Sequence, residues 1–306
     1  MKTHHALALT LLLALLAFGQ AGCSASNPFT FPGGGGTNSK AGTIGLDFSL
    51  LPDAPPVKIE PDAEFQVIAK IENFGEIPTT GELCVEDTVD DIYGGIGKNC
   101  EIFSIASASQ DKGKVVPRSE IISLPSEGSS FMYRGLDSQP TTISTSILYQ
   151  YSTDFSQVIC VKDPLKQTTT SCKTSESISS KVKAPLGISS IEKNVFRISD
   201  GQVKLSVKIN LKKQVNGKLL LPGAVSGFNE EAVNKVFVND VSFGPYSLEC
   251  DTDGSTLEVL TERVLRCTGV INSEGVIAHP LRIKLDYTVE AVKTHTLFVE
   301  SEDKQR

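Results

Sequence analysis

The sequence predicts an all-β protein of two tandem antiparallel β-sandwich domains, placed behind an export signal and a flexible tether. Three observations lead to this prediction: stretches of alternating apolar and polar residues, cysteines in spaced pairs, and few helix signals. The clearest alternation runs from Gly201 to Leu211, where every second residue from Val203 onward is apolar. Such a strand is typical of an antiparallel sheet that covers a core with one face and meets water with the other.

Residues 1–22 are interpreted as a signal peptide. Lys2 supplies an early positive charge, and an apolar run from Ala6 to Phe18 is interrupted by a single Thr. This run is shorter than the roughly 20 apolar residues that span a bilayer as a helix. It fits the apolar core of a signal peptide, which ends in small residues at the cleavage point. An uncleaved membrane anchor is the alternative.

Cys23 is the odd one among seven cysteines and directly follows the small residues Ala21 and Gly22. The stretch Ala21-Gly22-Cys23-Ser24 resembles the lipobox of prokaryotic lipoproteins, although Gln20 stands where that pattern favours Leu or another aliphatic residue. The resemblance implies cleavage before Cys23, a lipid on its sulfur, and a membrane-anchored protein in the cell envelope, exposed outside the cytoplasm. The alternative is a general secretion signal cut nearby, which leaves a free thiol or an extra disulfide partner.

Residues 23–42 are predicted to be the lipidated cysteine and a tether. The run Gly33 to Gly36 disfavours regular structure, because glycine loses the most conformational freedom when it is ordered. A flexible chain of this length has a root-mean-square reach of about 25 Å. Such a tether lifts a folded body away from the lipid headgroups.

The first sandwich is predicted over residues 43–185. Phe65 to Ile71 alternate in polarity, Glu72 to Gly75 form an Asn-x-Gly turn, and Gly81 to Val85 follow as a second strand. This order predicts a hairpin. Ile143 to Tyr151 and Gln157 to Val161 predict a second hairpin, because β-branched and aromatic residues favour a pleated surface.

The second sandwich is predicted over residues 186–306. Leu281 to Val289 alternate again, and Thr296 to Val299 close the domain after a short turn. Asn229 to Val236 predict one short helix with an Asn cap. Each half opens with an alternating strand, contains a spaced cysteine pair and ends in a Tyr-bearing strand, so the halves are interpreted as distant copies.

Short strands of this kind predict sandwiches of the immunoglobulin-like type. The stretch from Ala54 to Ile59, with Phe65 to Gly75, resembles the opening of CARDB-type and related immunoglobulin-like domains of prokaryotic surfaces. The resemblance implies a stalk, a spacer or an adhesion module.

Six cysteines remain after Cys23, and an exported chain meets an oxidising environment in which they form disulfides. Six cysteines allow 15 connectivities. Sequential pairing is favoured, because short loops close easily. A zinc site is disfavoured, because no pair has Cys-x-x-Cys spacing and only His279 and His295 follow the signal peptide. The disulfide candidates are Cys84, Cys100, Cys160, Cys172, Cys250 and Cys267.

The net charge of −7 and the lack of a dense basic block argue against nucleic acid as a partner. The chain has no Gly-x-Ser-x-Gly, no His-Glu-x-x-His and no phosphate-binding loop. His279 and His295 are interpreted as surface or half-buried residues. We therefore expect no enzymatic activity and no cofactor, and a hydrolase that uses paired carboxylates is the less favoured alternative.

Two acidic loops are weak candidates for calcium. Asp251 and Asp253 resemble the start of a calcium loop, with Glu262 in twelfth place, but Thr256 stands where the sharp turn needs glycine. An Asp-Gly hairpin turn is the favoured interpretation. The second loop contains Asp87, Asp90 and Asp91.

These patterns predict a lipid-anchored envelope protein that acts as a structural, adhesion or assembly module. Its expected partners are the membrane, through the N-terminal lipid, and a protein of the envelope. A calcium- or solute-binding envelope protein is the alternative.

Overall fold

The computed structural model describes residues 44–300 except 90–92, 127, 137–138, 167–170, 181 and 225–229. The predicted signal peptide, Cys23 and the tether lie outside the described residues, as do Asp90, Asp91 and the helix cap Asn229. The predicted short helix is one 3-10 turn at Glu230–Ala232. No helix among the described residues is long and apolar enough to cross a membrane.

The described residues are almost entirely strand, which confirms the all-β class. The strands that precede residue 163 are β1 Leu46–Leu50, β2 Lys58–Ile59, β3 Glu64–Phe65, β4 Val67–Asn73, β5 Thr79–Asp87, β6 Asn99–Ile105, β7 Ser109–Asp111, β8 Lys114–Val116, β9 Arg118–Leu124, β10 Phe131–Met132 and β11 Gln139–Lys162. Those that follow are β12 Ser175–Ser179, β13 Leu186–Ser199, β14 Gln202–Lys213, β15 Lys218–Leu220, β16 Lys235–Phe243, β17 Tyr246–Ser247, β18 Glu249–Cys250, β19 Thr256–Glu258, β20 Glu262–Asn272 and β21 Val276–Val299.

Two long strands, β11 and β21, form an antiparallel ribbon through the body. They pair without a register shift from Gln139 opposite Val299 to Lys162 opposite Val276. At about 3.4 Å per residue, 24 residues span roughly 80 Å. The ribbon is the centre of a nine-stranded sheet with the order β17-β16-β21-β11-β5-β6, which β2, β15 and β19 join at the side.

The ribbon corrects two predicted turns. The predicted hairpin between residues 143–151 and 157–161 is one uninterrupted strand, and so is the predicted turn before Thr296. Residues 152–156 and 290–295, where the turns were predicted, contain no glycine or proline to break the strands. The alternation also continues through the first of them, because Thr153 and Phe155 are both buried.

Two further sheets face the ribbon sheet, with the orders β1-β4-β9 and β12-β13-β14-β20-β18. The inward residues of all three sheets form one hydrophobic core. The halves repeat one strand order, since β1-β4-β9 matches β13-β14-β20 and β6-β5-β11 matches β17-β16-β21. The predicted boundary after residue 185 divides the chain but not the ribbon sheet, to which both halves contribute.

The predicted hairpin around Asn73 is also corrected. β4 pairs with β1 and β9, whereas β5 pairs with β6 and β11 in the other sheet. The buried Asn73 side chain donates to the carbonyl oxygens of Ile77 at 2.9 Å and Ala106 at 3.0 Å, and it accepts the Gly75 N–H at 2.8 Å. These bonds hold a crossing between sheets. A Cβ at Gly75 would collide with the Tyr151 hydroxyl, so this crossing requires glycine.

Tyrosines connect the sheets at the middle of the ribbon. The Tyr149 hydroxyl accepts the N–H of Leu46 at 3.4 Å, and the Tyr287 hydroxyl accepts the N–H of Leu186 at 3.0 Å. Tyr151 lies between them, with ring centroids 6.3 Å from Tyr149 and 6.2 Å from Tyr287. Burial raises the pKa of Tyr151 to about 12, so its hydroxyl stays protonated at physiological pH. The tyrosines thus join the ribbon to the first residue of β1 in one half and of β13 in the other.

Candidate functional site

Asp251, Asp253 and Glu262, the first set of predicted calcium ligands, each bond to a different partner within the protein. The carboxylate of Asp251 accepts the backbone N–H of Arg266 at 2.7 Å and lies 3.4 Å from its guanidinium Nη1. Glu262 pairs with Lys212 at 2.9 Å. Asp253 and Thr256 bond through their backbones, as an Asp-Gly turn requires. The structure therefore places the three carboxylates in a turn and two cross-strand pairs rather than in one ligand set.

Asp87 of the second acidic loop is a structural acceptor. Its Oδ2 accepts the Tyr133 hydroxyl at 2.7 Å and the Ile96 N–H at 2.8 Å, while its Oδ1 accepts the Val89 N–H at 3.0 Å. Burial, with the hydrogen bond to Asp87, raises the pKa of Tyr133, so this hydroxyl remains a donor. Gly95 has a φ of 90°, and a Cβ there would lie 2.7 Å from the Asp87 carboxylate. All three of these contacts use the Asp87 carboxylate to hold described residues on either side of this loop.

Among the described residues, the metal-ligand types come together as a group of three only at Glu82, Cys84 and Cys100. Its two sulfurs form a disulfide, which removes them as ligands. His279 packs its ring edge-on against Phe243 at 5.5 Å. His295 lies sixteen residues further along the same extended strand, so the two histidines do not share a site.

The six cysteines form three sequential disulfides. Cys84–Cys100 joins directly opposite positions of β5 and β6, and Cys250–Cys267 does the same for β18 and β20. Cys160–Cys172 joins the end of β11 to the segment before β12. Persistent disulfides form in oxidising compartments, so this pattern supports a place outside the cytoplasm.

The open edge of β11 is the feature that sequence reasoning missed. β5 covers β11 only from Ile143 to Tyr149. From Gln150 to Val161, the side of β11 that faces away from β21 has no strand partner among the described residues. An unpaired edge offers a row of peptide N–H and C=O groups to another strand.

Alternation of the ladder shows which peptide groups point to this edge. Phe298 and Glu300 donate their N–H groups away from β11, to Val57 and Ile59. In an antiparallel ladder such outward groups recur at every second residue. Because Phe298 is opposite Pro140, the even-numbered residues of β11 point outward, among them Ser156 and Val158.

A groove runs along this edge. It has a volume of roughly 530 Å³ and lies between Gln157–Cys160 of β11 and Glu176–Ser179 of β12, with Ser171 and Ala278 also lining it. β12 is itself the outermost strand of its sheet. The groove is therefore bordered by one open strand edge from each of two facing sheets.

Lys193 holds the two sides of the groove together. Its side chain is fully buried, and its Nζ donates to the Cys160 carbonyl at 2.8 Å and pairs with Glu176 at 2.7 Å. Lys193 belongs to β13 and Cys160 to β11, so the ammonium group spans both sheets. A buried charge with a paired carboxylate and a hydrogen bond fixes the geometry of the groove wall.

No family model matches this chain, and no curated protein matches it at a significant level. The open edge of β11 and its groove are the candidate functional site on structural grounds. The arrangement can bind an extended polypeptide through main-chain hydrogen bonds, which is a recognised mode of peptide recognition.

Proposed function

We propose that the protein is a lipid-anchored surface protein of the cell envelope that acts as a structural, adhesion or assembly module without enzymatic activity. The observation that supports this most is the ribbon of β11 and β21, which pairs over all 24 residues of each strand and carries both halves. A sheet that continues through both halves resists bending between them. A stiff body of roughly 80 Å suits a spacer or an assembly platform.

The three disulfides support export, and the lipobox-like sequence around Cys23 supports the anchor.

Replacing Cys23 with serine is expected to move the protein from the membrane pellet to the soluble exported fraction. The reason is that a serine hydroxyl cannot take the place of the sulfur that carries the lipid. Fractionation of the producing cells, with a high-salt wash and immunoblotting, measures the change. Ser24→Ala is the matched control and is expected to stay in the pellet. A Cys23→Ser protein that remains in the washed pellet would contradict the anchor.

A further inference from the structure

The internal repeat allows positions in the two halves to be matched. Leu46 is opposite Asn73 where β1 meets β4, and Leu186 is opposite Lys213 where β13 meets β14. Both members of the second pair lie 140 positions after those of the first. β1 and β4 therefore correspond to β13 and β14.

The ribbon strands correspond with an offset of 138 positions. Tyr149 and Tyr287 occupy equivalent positions in the two halves. The hydroxyl of Tyr149 accepts the first N–H of β1, and that of Tyr287 accepts the first N–H of β13. The ends of the neighbouring ladders give the same offset, because Ile143 is opposite Asp87 and Leu281 is opposite Phe243. By this offset, Phe298–Val299 on β21 match Cys160–Val161 on β11.

In the first half this edge is covered. β2 pairs in parallel with Phe298–Val299, where the N–H groups of Phe298 and Glu300 donate to Val57 at 2.9 Å and Ile59 at 3.0 Å. Ile59 is 9% exposed, so its side chain enters the core beside the edge. β2 reaches β21 because β1 ends at Leu50 and the chain then crosses between the sheets.

In the second half no strand pairs with the matching edge among the described residues, although the carbonyl of Cys160 accepts a hydrogen bond from Lys193 there. β13, the counterpart of β1, continues to Ser199 within its own sheet and sends no strand across to β11. From Ser156 to Val161 the edge also contains no charged residue and no proline, the devices that commonly protect exposed edges. The groove lies along this unprotected stretch.

We propose that this groove receives an extended segment of a partner polypeptide, which adds to β11 as a parallel strand beside the position that matches the one β2 takes on β21. Cys160 is the match of Phe298 and its carbonyl is engaged by Lys193, so the outward peptide groups of Ser156 and Val158, four and two residues before it, supply the main-chain hydrogen bonds. The buried Ile159 and Ile178 at the groove present an apolar surface to one inward side chain of the segment, as the core does for Ile59. This proposal rests on the assembly role proposed above and specifies its contact.

The test uses a probe copied from the segment that covers the edge of β21 in the first half. It is a fluorescent peptide that copies residues 54–62 of this chain, with a scrambled peptide as its control. Fluorescence anisotropy with the oxidised exported protein is expected to show saturable binding of the copy alone. Backbone amide NMR signals of Ser156, Val158 and β12 are expected to shift as the peptide is added.

Val158→Pro removes one outward N–H, and we expect it to weaken peptide binding by about tenfold or more, since a hydrogen bond and a close approach are both lost. Val292→Pro is the matched control, because Val292 is an exposed, even-numbered residue of the other ribbon strand. Its affinity for the peptide is expected to be unchanged. If Val158→Pro lowers the melting temperature, the peptide affinity of Ser156→Pro is measured instead, because Ser156 also points its N–H to this edge.

Three results would overturn the proposal: no binding at millimolar peptide, equal affinity in wild type and both edge variants, or a wild-type dimer in sedimentation that Val158→Pro abolishes. The last result would assign the edge to a second copy of this chain. None of them would affect the fractionation of Cys23→Ser, so failure here is distinguishable from failure of the proposed anchor.

Discussion

Replacing Tyr287 with alanine is expected to lower the free energy of unfolding by about 3–5 kcal/mol, the range for a large aromatic side chain lost from a core. Tyr287 is 1% exposed, and its hydroxyl bonds to the N–H of Leu186 and the hydroxyl of Thr153. The substitution removes the ring beside Tyr151 and leaves the buried N–H of Leu186 without this acceptor. Urea denaturation followed by circular dichroism measures the loss.

Two phenylalanine variants separate the ring from the hydroxyl. Tyr287→Phe keeps the ring and is expected to cost about 1–3 kcal/mol, since it leaves a buried donor unsatisfied. Tyr149→Phe is expected to cost less, because the Leu46 N–H lies 3.4 Å from its hydroxyl, compared with 3.0 Å for the pair at Tyr287. If Tyr287→Ala unfolds within 1 kcal/mol of wild type, the tyrosines do not fix the halves to the ribbon.

Reduction of all three disulfides is expected to lower the melting temperature by roughly 20–30 °C or to abolish the cooperative transition. The bridged positions lie 16, 12 and 17 residues apart, and loops of this size contribute about 3 kcal/mol each by constraining the unfolded chain. Together they approach the about 5–15 kcal/mol that stabilises a typical protein. Thermal denaturation of the reduced, alkylated protein beside the oxidised one measures the difference.

Paired alanine variants show whether the bridges act independently. Each replaces both cysteines of one bridge, and each is expected to lower the melting temperature by roughly a third of the full effect. A reduced and alkylated protein that melts within a few degrees of the oxidised one would show that the core alone stabilises the fold.

Local alternation predicted strand positions well and strand partners poorly. The predicted strand from Gly201 to Leu211 lies within one or two residues of β14, because a period of two is a property of neighbouring residues. The sequence predicted the turn after Asn73, but it predicted a hairpin where the chain crosses from one sheet to the other. Asn73 bonds to the carbonyl of Ala106, 33 positions away, and no local pattern contains that contact.

The continuous strand β11 was not predicted, because the middle of its sequence has a composition that is common in turns. Ser152 to Ser156 contain the polar residues that commonly interrupt strands, yet Thr153 and Phe155 keep the alternation and stay buried. In such a segment the burial of alternate residues decides against a turn. A strand of 24 residues is also far longer than the usual five or six.

The candidate site was predictable only in part. Lys193 stands between Ile191 and Val195 on the apolar face of its strand, a signal for a buried, paired lysine. Its partner Cys160 belongs to another sheet, so the contact itself could not be read from the sequence. The open edge exists because the pairing of β5 with β11 stops at Gly81 opposite Tyr149 and because β13 stays in its own sheet, and both are properties of the tertiary fold.

The central proposal is that the protein is exported, that a lipid on Cys23 anchors it to the membrane, and that the other six cysteines form three disulfides. Intact mass spectrometry with non-reducing peptide mapping of the protein from its native membrane tests it most directly. We expect a chain that begins at Cys23 with the added mass of a lipid, and three linked peptide pairs that join Cys84 to Cys100, Cys160 to Cys172 and Cys250 to Cys267. An unacylated chain, or one whose cysteines are reduced, would contradict the account.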